Sequence, residues 1–202
     1  MPPNHQRRVQ ILDAAIDILA DTGVGGVTHR QVDERAKLPA GTTSNYFRTR
    51  LALLEATAAR TVDLNWQYVE ALRSVIGHTM TRDRVVALLS RMISAEDEDH
   101  RRRTVARFEL FMEGTRRPEL QPFLNELQAA AMKSATLILE AAGFTPSTEQ
   151  VGTLTRLLNG LAFSNLTISP ERPGAADPAG LIDQVLQSVL GSVASAAAKR
   201  RP

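Results

Sequence analysis

The stretch THRQVDERAKLPAGTTSNYFRTR, from Thr28 to Arg50, constrains this chain most, because it writes two short helices with only a tight turn between them. Thr28 followed by Gln31 has the form of a capping box, and Val27 and Val32 stand where a hydrophobic staple would close. Val32 and Ala36 share one face, and Ala36 is small enough to let a second helix cross closely before Lys37 and Leu38 turn the chain. Pro39, with its fixed φ, suits the first turn of that second helix. Phe47 is the apolar residue that must point inward, and Thr43, one turn earlier, shares its side. At about 100° per residue the opposite side holds Gly41, Asn45 and Arg48, flanked by Thr42, Ser44 and Tyr46.

This face lacks Glu and Lys, the usual solubilising residues, and offers short hydroxyls, an amide and a phenol instead. Asn pairs bidentately with adenine, Thr reaches a base or a thymine methyl, and Tyr and Ser bond phosphates. Gly41 lets the backbone approach a duplex closely. Arg48 and Arg50 add cations that bind phosphate without reading sequence. At the start of the first helix, Thr28, His29 and Arg30 are placed for further phosphate contacts. The expected DNA-contacting set is therefore Thr28, His29, Arg30, Ala40, Gly41, Thr42, Ser44, Asn45, Tyr46, Arg48 and Arg50. The competing account of the same residues is an ordinary polar helix in a small bundle, since short helix-turn-helix patterns have frequent false positives.

The segment LPAGTTSNYFRTRLALL resembles the recognition helix of the tetracycline-repressor (TetR) family: a small residue, Gly-Thr, an aromatic stretch, then a hydroxyl, a basic residue and leucines. RFELFMEGTRRPEL resembles the C-terminal domains of the same family. Position by position, Thr42, Tyr46 and Arg50 match the family's DNA-facing hydroxyl, aromatic and basic residues. The chain departs from the family where Thr43 replaces Leu, Ser44 replaces Tyr and Arg50 replaces Lys. The resemblance implies an all-α fold: an N-terminal three-helix helix-turn-helix domain over residues 1–48, and a helical effector-binding and dimerisation domain over 49–202.

The rest of the chain reads as helices throughout. Residues 1–6 read as a loose arm, and from Arg7 to Asp21 the residues Val9, Leu12, Ile16 and Leu19, widened by Ile11, Ala15 and Ile18, make one broad apolar face. Asp13 and Asp17 are expected to face water, and Gly23 to end the helix in a left-handed cap. Thr49 caps a long helix to about Ile76, with Leu51, Leu54, Ala58, Val62, Trp66 and Val69 on one side. Such a helix can carry a displacement from one domain to the other. Gly77 to Thr81 reads as a turn, and Arg82 to Ala95 as a helix. Glu96 to Arg103, acid then base, reads as an exposed helix boundary, before helices over about 100–114 and from Pro118 to Ala142. Ser147 with Gln150 is a second capping box, opening a helix to about Ile168. SPERPGAADP, Ser169 to Pro178, is a loop, and Asp177 with Pro178 opens the last helix.

The apolar stripe of that last helix, Leu181 to Val193, is too wide for one contact and predicts a partner. Paired with the helix over 147–168 and its symmetry mates it would make a four-helix dimer interface through Leu154, Leu158, Leu161, Val185, Val189 and Val193. The resemblance implies the same homodimer, and also a ligand pocket, for which Trp66, Met92, Phe108, Phe111, Met112, Met132 and Phe163 supply adaptable apolar surface and Asn159 a polar contact.

Other classes find little support. No apolar run is long enough for a membrane span, and Arg7, Arg8, Asp13 and Asp17 exclude a secretory h-region. The chain has 0 Cys, hence no disulfide and no thiolate metal site, which fits a reducing cytoplasm. His5, His29, His78 and His100 show no metal-ligand spacing, and no nucleophile motif or phosphate loop appears, so no cofactor or metal is expected. The reading is a cytoplasmic, ligand-released transcriptional repressor on double-stranded operator DNA; the alternative is a helical small-molecule-binding or enzymatic protein whose N-terminal unit no longer reads DNA.

Overall fold

In the computed structural model, which describes residues 3–76, 80–94, 97–168 and 178–191, the middle of the first helix, residues 11–20, is covered on nearly every side. This α1 (Pro3–Gly26) gives Ile11, Ala15 and Leu19 no exposure at all, and Leu12, Ala14, Ile16 and Ile18 almost none. Each Ile or Leu side chain so buried contributes about 1.5–3 kcal/mol. The expected arm is helical from Pro3 onward, and Asn4 within it accepts the Tyr46 hydroxyl on its Oδ1 at 3.3 Å. Gly23 breaks the helical path with φ 70, where an L side chain is strained and an added Cβ would meet the Glu109 carboxylate at 2.8 Å.

After α1 come α2 (His29–Arg35), α3 (Thr42–Tyr46), α4 (Arg50–Val75), α5 (Arg82–Ser94), α6 (Glu98–Gly114), a 3-10 turn (Pro118–Leu120), α7 (Gln121–Ala141), α8 (Thr148–Thr167) and α9 (Pro178–Leu190). No strand occurs among the described residues, and none of their helices is long and apolar enough to cross a membrane. The expected cap Asp177, most of the expected turn and loop (77–79 and 169–177) and the interface residue Val193 lie outside the described residues.

Contacts divide the chain into two units, Met1–Tyr68 with Asp97–Ala130, and Val69–Glu96 with Ala131–Pro202. In the first, α1 packs on α2 and α6, and Leu53, Leu54, Ala58, Ala106, Leu110, Leu120 and Leu127 complete its core. Of the side expected for α4, Leu54, Ala58 and Val69 are buried and Leu51 is only half covered, while Leu53, not expected there, is fully covered. Thr57 and Thr61 share that side, buried because their hydroxyls bond back to Leu53 O at 2.7 Å and Thr57 O at 2.9 Å.

In the second unit α5, α8 and α9 pack on one another around Val85, Leu89, Ile93, Leu154, Leu158, Ile182 and Leu186. Arg82 Nε pairs with Asp183 at 2.7 Å, and the Asn165 amide donates to Ile93 O at 3.2 Å. The capping box at Ser147 and Gln150 forms with both of its bonds. Gly143, at φ 83, ends α7 in a Schellman motif, with Phe144 N–H on Leu139 O at 3.0 Å and Gly143 N–H on Glu140 O at 2.9 Å.

Asp13 and Asp17 do not simply face water, as the sequence pattern suggested. Asp13, Asp17 and Asp21, four apart along α1, each meet an arginine from another helix. Arg60 Nε of α4 reaches Asp13 at 2.8 Å, and Arg102 of α6 reaches Asp21 at 2.7 Å and Asp17 at 3.6 Å. Arg35 of α2 also reaches Asp21, at 2.7 Å. Arg102, expected in an exposed segment, thus links α6 to α1, while Asp97 caps α6 by accepting His100 N–H at 3.3 Å.

Hydrogen bonds from Arg102 and Arg35 hold the Asp21 carboxyl below the usual carboxylate range. For Glu113 burial pushes the carboxyl up, but the hydrogen bonds from Arg117 and Arg116 together outweigh it and the net displacement is downward. Stability from groups held down in the folded state is fully present above the unfolded pKa, about 4, and is lost as pH falls through the lower folded values. Urea unfolding of the parent should therefore show a stability drop between about pH 6 and pH 3, and Asp21→Asn, less stable at pH 6, should show a smaller drop; equal drops in the two proteins would exclude Asp21 as a source.

Candidate nucleic-acid interface

The α2 start is built as its sequence suggests, with one difference. Thr28, extended at φ −124, accepts Gln31 N–H at 3.3 Å, but the Gln31 side chain takes the Thr28 hydroxyl at 3.3 Å instead of returning to the cap amide. That amide is already bonded to Gly26 O at 2.8 Å, so the box is half made. At the other end α2 closes in a Schellman motif, with Leu38 N–H on Asp33 O at 2.9 Å and Lys37 N–H on Glu34 O at 3.2 Å. Lys37 takes the left-handed position at φ 53, where glycine is the usual occupant.

Between the two helices lies a carboxylate that sequence reasoning overlooked. Asp33 is 3% exposed; its Oδ2 accepts Gly41 N–H at 2.8 Å, and its Oδ1 accepts both Thr43 N–H at 2.7 Å and the Thr43 hydroxyl at 2.5 Å. The first amides of α3 have no partner within that helix, and Gly41 has no side chain to cap it. Asp33 supplies the cap from the neighbouring helix. Thr43, where the resembling family has Leu, thereby becomes a buried polar contact and not a weakened apolar one. A signal was available: on α2, Asp33 lies beside Ala36 and Val32, on the side that must face inward.

The second helix starts at Thr42 and not near Pro39, because Gly41 at φ 88 breaks any continuous helical path. Pro39 instead supplies its carbonyl to Thr42 N–H at 3.1 Å and to the Thr42 hydroxyl at 2.6 Å. The end of α3 is tied down as firmly. Phe47 is buried, Arg8 lies 4.7 Å over its ring, and its carbonyl meets His29 Nε2 at 2.6 Å, a contact in which that nitrogen must carry the proton. Gln10 of α1 donates to Ala36 O at 2.8 Å.

The expected contact residues then divide. Ala40, Gly41, Ser44, Asn45 and Arg48 are exposed, and Thr42 and Tyr46 half-buried beside them. Thr28 and His29 are half-buried, and Arg30 is exposed but pairs with Glu34 at 3.0 Å. Arg50 is engaged inside the chain: its Nε donates to Val27 O at 3.0 Å and its Nη2 to Val24 O at 2.5 Å. Its guanidinium holds the α1–α2 turn although the residue is exposed, and Arg48 is exposed beside it. Lys37, not expected at the interface, is exposed in the turn.

The residues expected at the ligand and dimer sites are spread over both units. Trp66, Phe108 and Phe111 of the first are half-buried, with the two Phe rings 6.3 Å apart, but Met112 is 54% exposed. Met92, Met132 and Asn159 of the second are half-buried and Phe163 is 48% exposed. Leu154 and Leu158 are covered within the second unit, so they are core of this chain, whereas Leu161, Val185 and Val189 retain exposure.

Residues 80–192 match the family described as "Tetracyclin repressor-like, C-terminal domain". The N-terminal side resembles the HTH-type transcriptional regulator BetI of Paraburkholderia phytofirmans, 38% identical over 61 residues, which is 30% of this chain and 31% of that protein. The match thus spans less than a third of that relative's length. A putative TetR-family transcriptional regulator from Rhodococcus sp. has the same fold, with TM-score 0.69 and 23% identity over 92% of this chain and 99% of that one. So does the multidrug binding protein EbrR complexed with imidazole, with TM-score 0.68 and 22% identity over 94% of this chain and 97% of that one.

Removing the Asp33 carboxylate strands three donors at once, so Asp33→Ala should cost more than about 3 kcal/mol in urea unfolding, and Thr43→Val, which removes the hydroxyl alone, about 1–2 kcal/mol. Little effect from Asp33→Ala would mean that α3 is held otherwise. Lys37→Gly relieves the left-handed backbone and should raise stability by about 1 kcal/mol, visible as a higher melting temperature; a lower one would count against the assigned turn geometry.

Proposed function

The chain belongs to the tetracycline-repressor (TetR) family, and we propose that it acts as a homodimeric transcriptional repressor, released from a palindromic operator by a small apolar or amphipathic ligand. The observation that carries the DNA-reading part is the surface of α3: Gly41, Ser44, Asn45 and Arg48 open to solvent, with Thr42 and Tyr46 at its edge, on a helix held from behind by Asp33 and His29. A recognition surface must be rigid before it meets the duplex, or ordering it subtracts from affinity. Asn45 is placed to read a base edge, Thr42, Ser44 and Tyr46 to bond bases or phosphates, and Arg48 to neutralise a phosphate.

The dimer reading is supported by apolar surface left open on α8. Leu157 is 42% exposed and lies with half-exposed Leu161 on one side of the helix, Ile168 just past its end is 49% exposed, and Val185 and Val189 of α9 are half-buried. This stripe replaces the expected Leu154 and Leu158 as the surface offered to a second copy. Two copies present two recognition helices, and their symmetry selects a palindrome. The functional division proposed is residues 1–48 for DNA and 49–202 for effector and dimer, in the cytoplasm. A fold relative described as a multidrug binding protein supports a small-molecule effector.

Selection of duplexes from a random DNA library by the purified protein tests this reading. A two-fold symmetric site is expected, bound more weakly as salt rises. Asn45→Ala should lose about 1–3 kcal/mol of discrimination at one position of each half-site, and Arg48→Ala should weaken all sequences alike and flatten the salt dependence. A protein that enriches no sequence, with or without added ligand, is not this repressor.

A further inference from the structure

One face of α6 carries a cation that the described residues leave unpaired. Towards α1 the helix presents Arg102, Glu109 and Glu113, and all three are matched: Arg102 with Asp21 and Asp17, Glu109 with Val24 N–H at 3.4 Å, and Glu113 with Arg116 and Arg117. At about 100° per residue Thr104, Arg107, Phe108 and Phe111 fall on the other side. There the Nε of Arg107 is fully buried with no hydrogen-bond partner. Its guanidinium lies 5.6 Å from the Phe108 ring centroid, and the acids of α1 nearest in sequence pattern to α6 are already committed to Arg102, Arg35 and Arg60.

A guanidinium N–H buried without a hydrogen-bond partner carries a desolvation cost that an anion or another acceptor on that atom would offset. Burial accordingly pulls the Arg107 guanidinium below its ordinary pKa. The residue as a whole keeps partial exposure, so a small molecule can reach it. The guanidinium carbon lies over the Phe108 ring, and a guanidinium fork can meet a carboxylate with two parallel bonds.

We propose that Arg107 is the anion-recognition group of the effector site, taking the carboxylate of a small organic acid whose apolar part lies against Phe108 and Phe111. The assignment rests on the ligand-released reading above and narrows its effector to apolar carboxylates.

Calorimetric titration of the full chain with matched pairs, octanoate against octanamide and benzoate against benzamide, tests it. At least one acid is expected to bind and its amide not. Arg107→Lys, which keeps the charge but loses the fork, should weaken the acid about ten-fold or more, and Arg107→Met should abolish its binding without lowering the melting temperature of the free protein. Equal binding of acid and amide, binding of neither acid, or acid binding indifferent to both substitutions overturns the assignment. Operator selection run in parallel separates the two proposals. A protein that enriches a palindrome but binds no acid loses only the anion site; one that binds acid through Arg107 but enriches no duplex keeps the site and loses the repressor reading.

Discussion

The buried carboxylate of Asp33 is the interaction on which the reading surface depends. A helix of five residues has almost no stability of its own, because nucleation fixes several residues for very few hydrogen bonds. Here the missing bonds come from outside: two amides and a hydroxyl at the start of α3 converge on one side chain of α2. The two helices are thus one rigid element, with an angle set by a bidentate acceptor. An apolar residue at position 43 would hold the helices by packing alone, which is less directional than three hydrogen bonds.

This element is fastened in turn to α1, which behaves as the axis of the first unit. Its apolar sides are buried in every direction, and its acids at 13, 17 and 21 receive arginines from α4, α6 and α2. Two further contacts fix the junction between α1 and α2: Arg50 donates to Val24 and Val27 carbonyls, and Glu109 of α6 accepts Val24 N–H. One helix, α6, therefore touches the base of the DNA-reading element on one side and carries Arg107, Phe108 and Phe111 on the other. A ligand that changed the position of α6 would act on the Val24 junction through hydrogen bonds already made, and its effect would be limited by its differential affinity for the two positions.

Much of the fold was legible beforehand because its signals are local. Capping residues at Thr28, Thr49 and Ser147, the glycines at 23 and 143, and the inward pair Thr43 and Phe47 each act over one or two helical turns, and all appear in place. What the sequence did not show lies where a residue's partner is distant in sequence. Asn4, in the stretch read as a loose arm, meets Tyr46, 42 residues on, and Arg50, which is exposed, also donates to two carbonyls of the α1–α2 turn. The same holds for the α8 leucines: periodicity identifies an apolar face, but not whether the chain itself or a second copy covers it.

By itself the sequence determined the helical class, the position of the helix-turn-helix and the hydrogen-bonding character of its outer face, because periodicity and capping are properties of a few adjacent residues. Tertiary structure alone decided which charges are tethered and which are open. The physical reason is that a charged side chain takes its role from the groups within about 4 Å of it in space: Asp33 became a cap, Arg102 and Arg50 became struts, and Arg48 stayed open to solvent, while the Nε of Arg107 found no hydrogen-bond partner among the described residues.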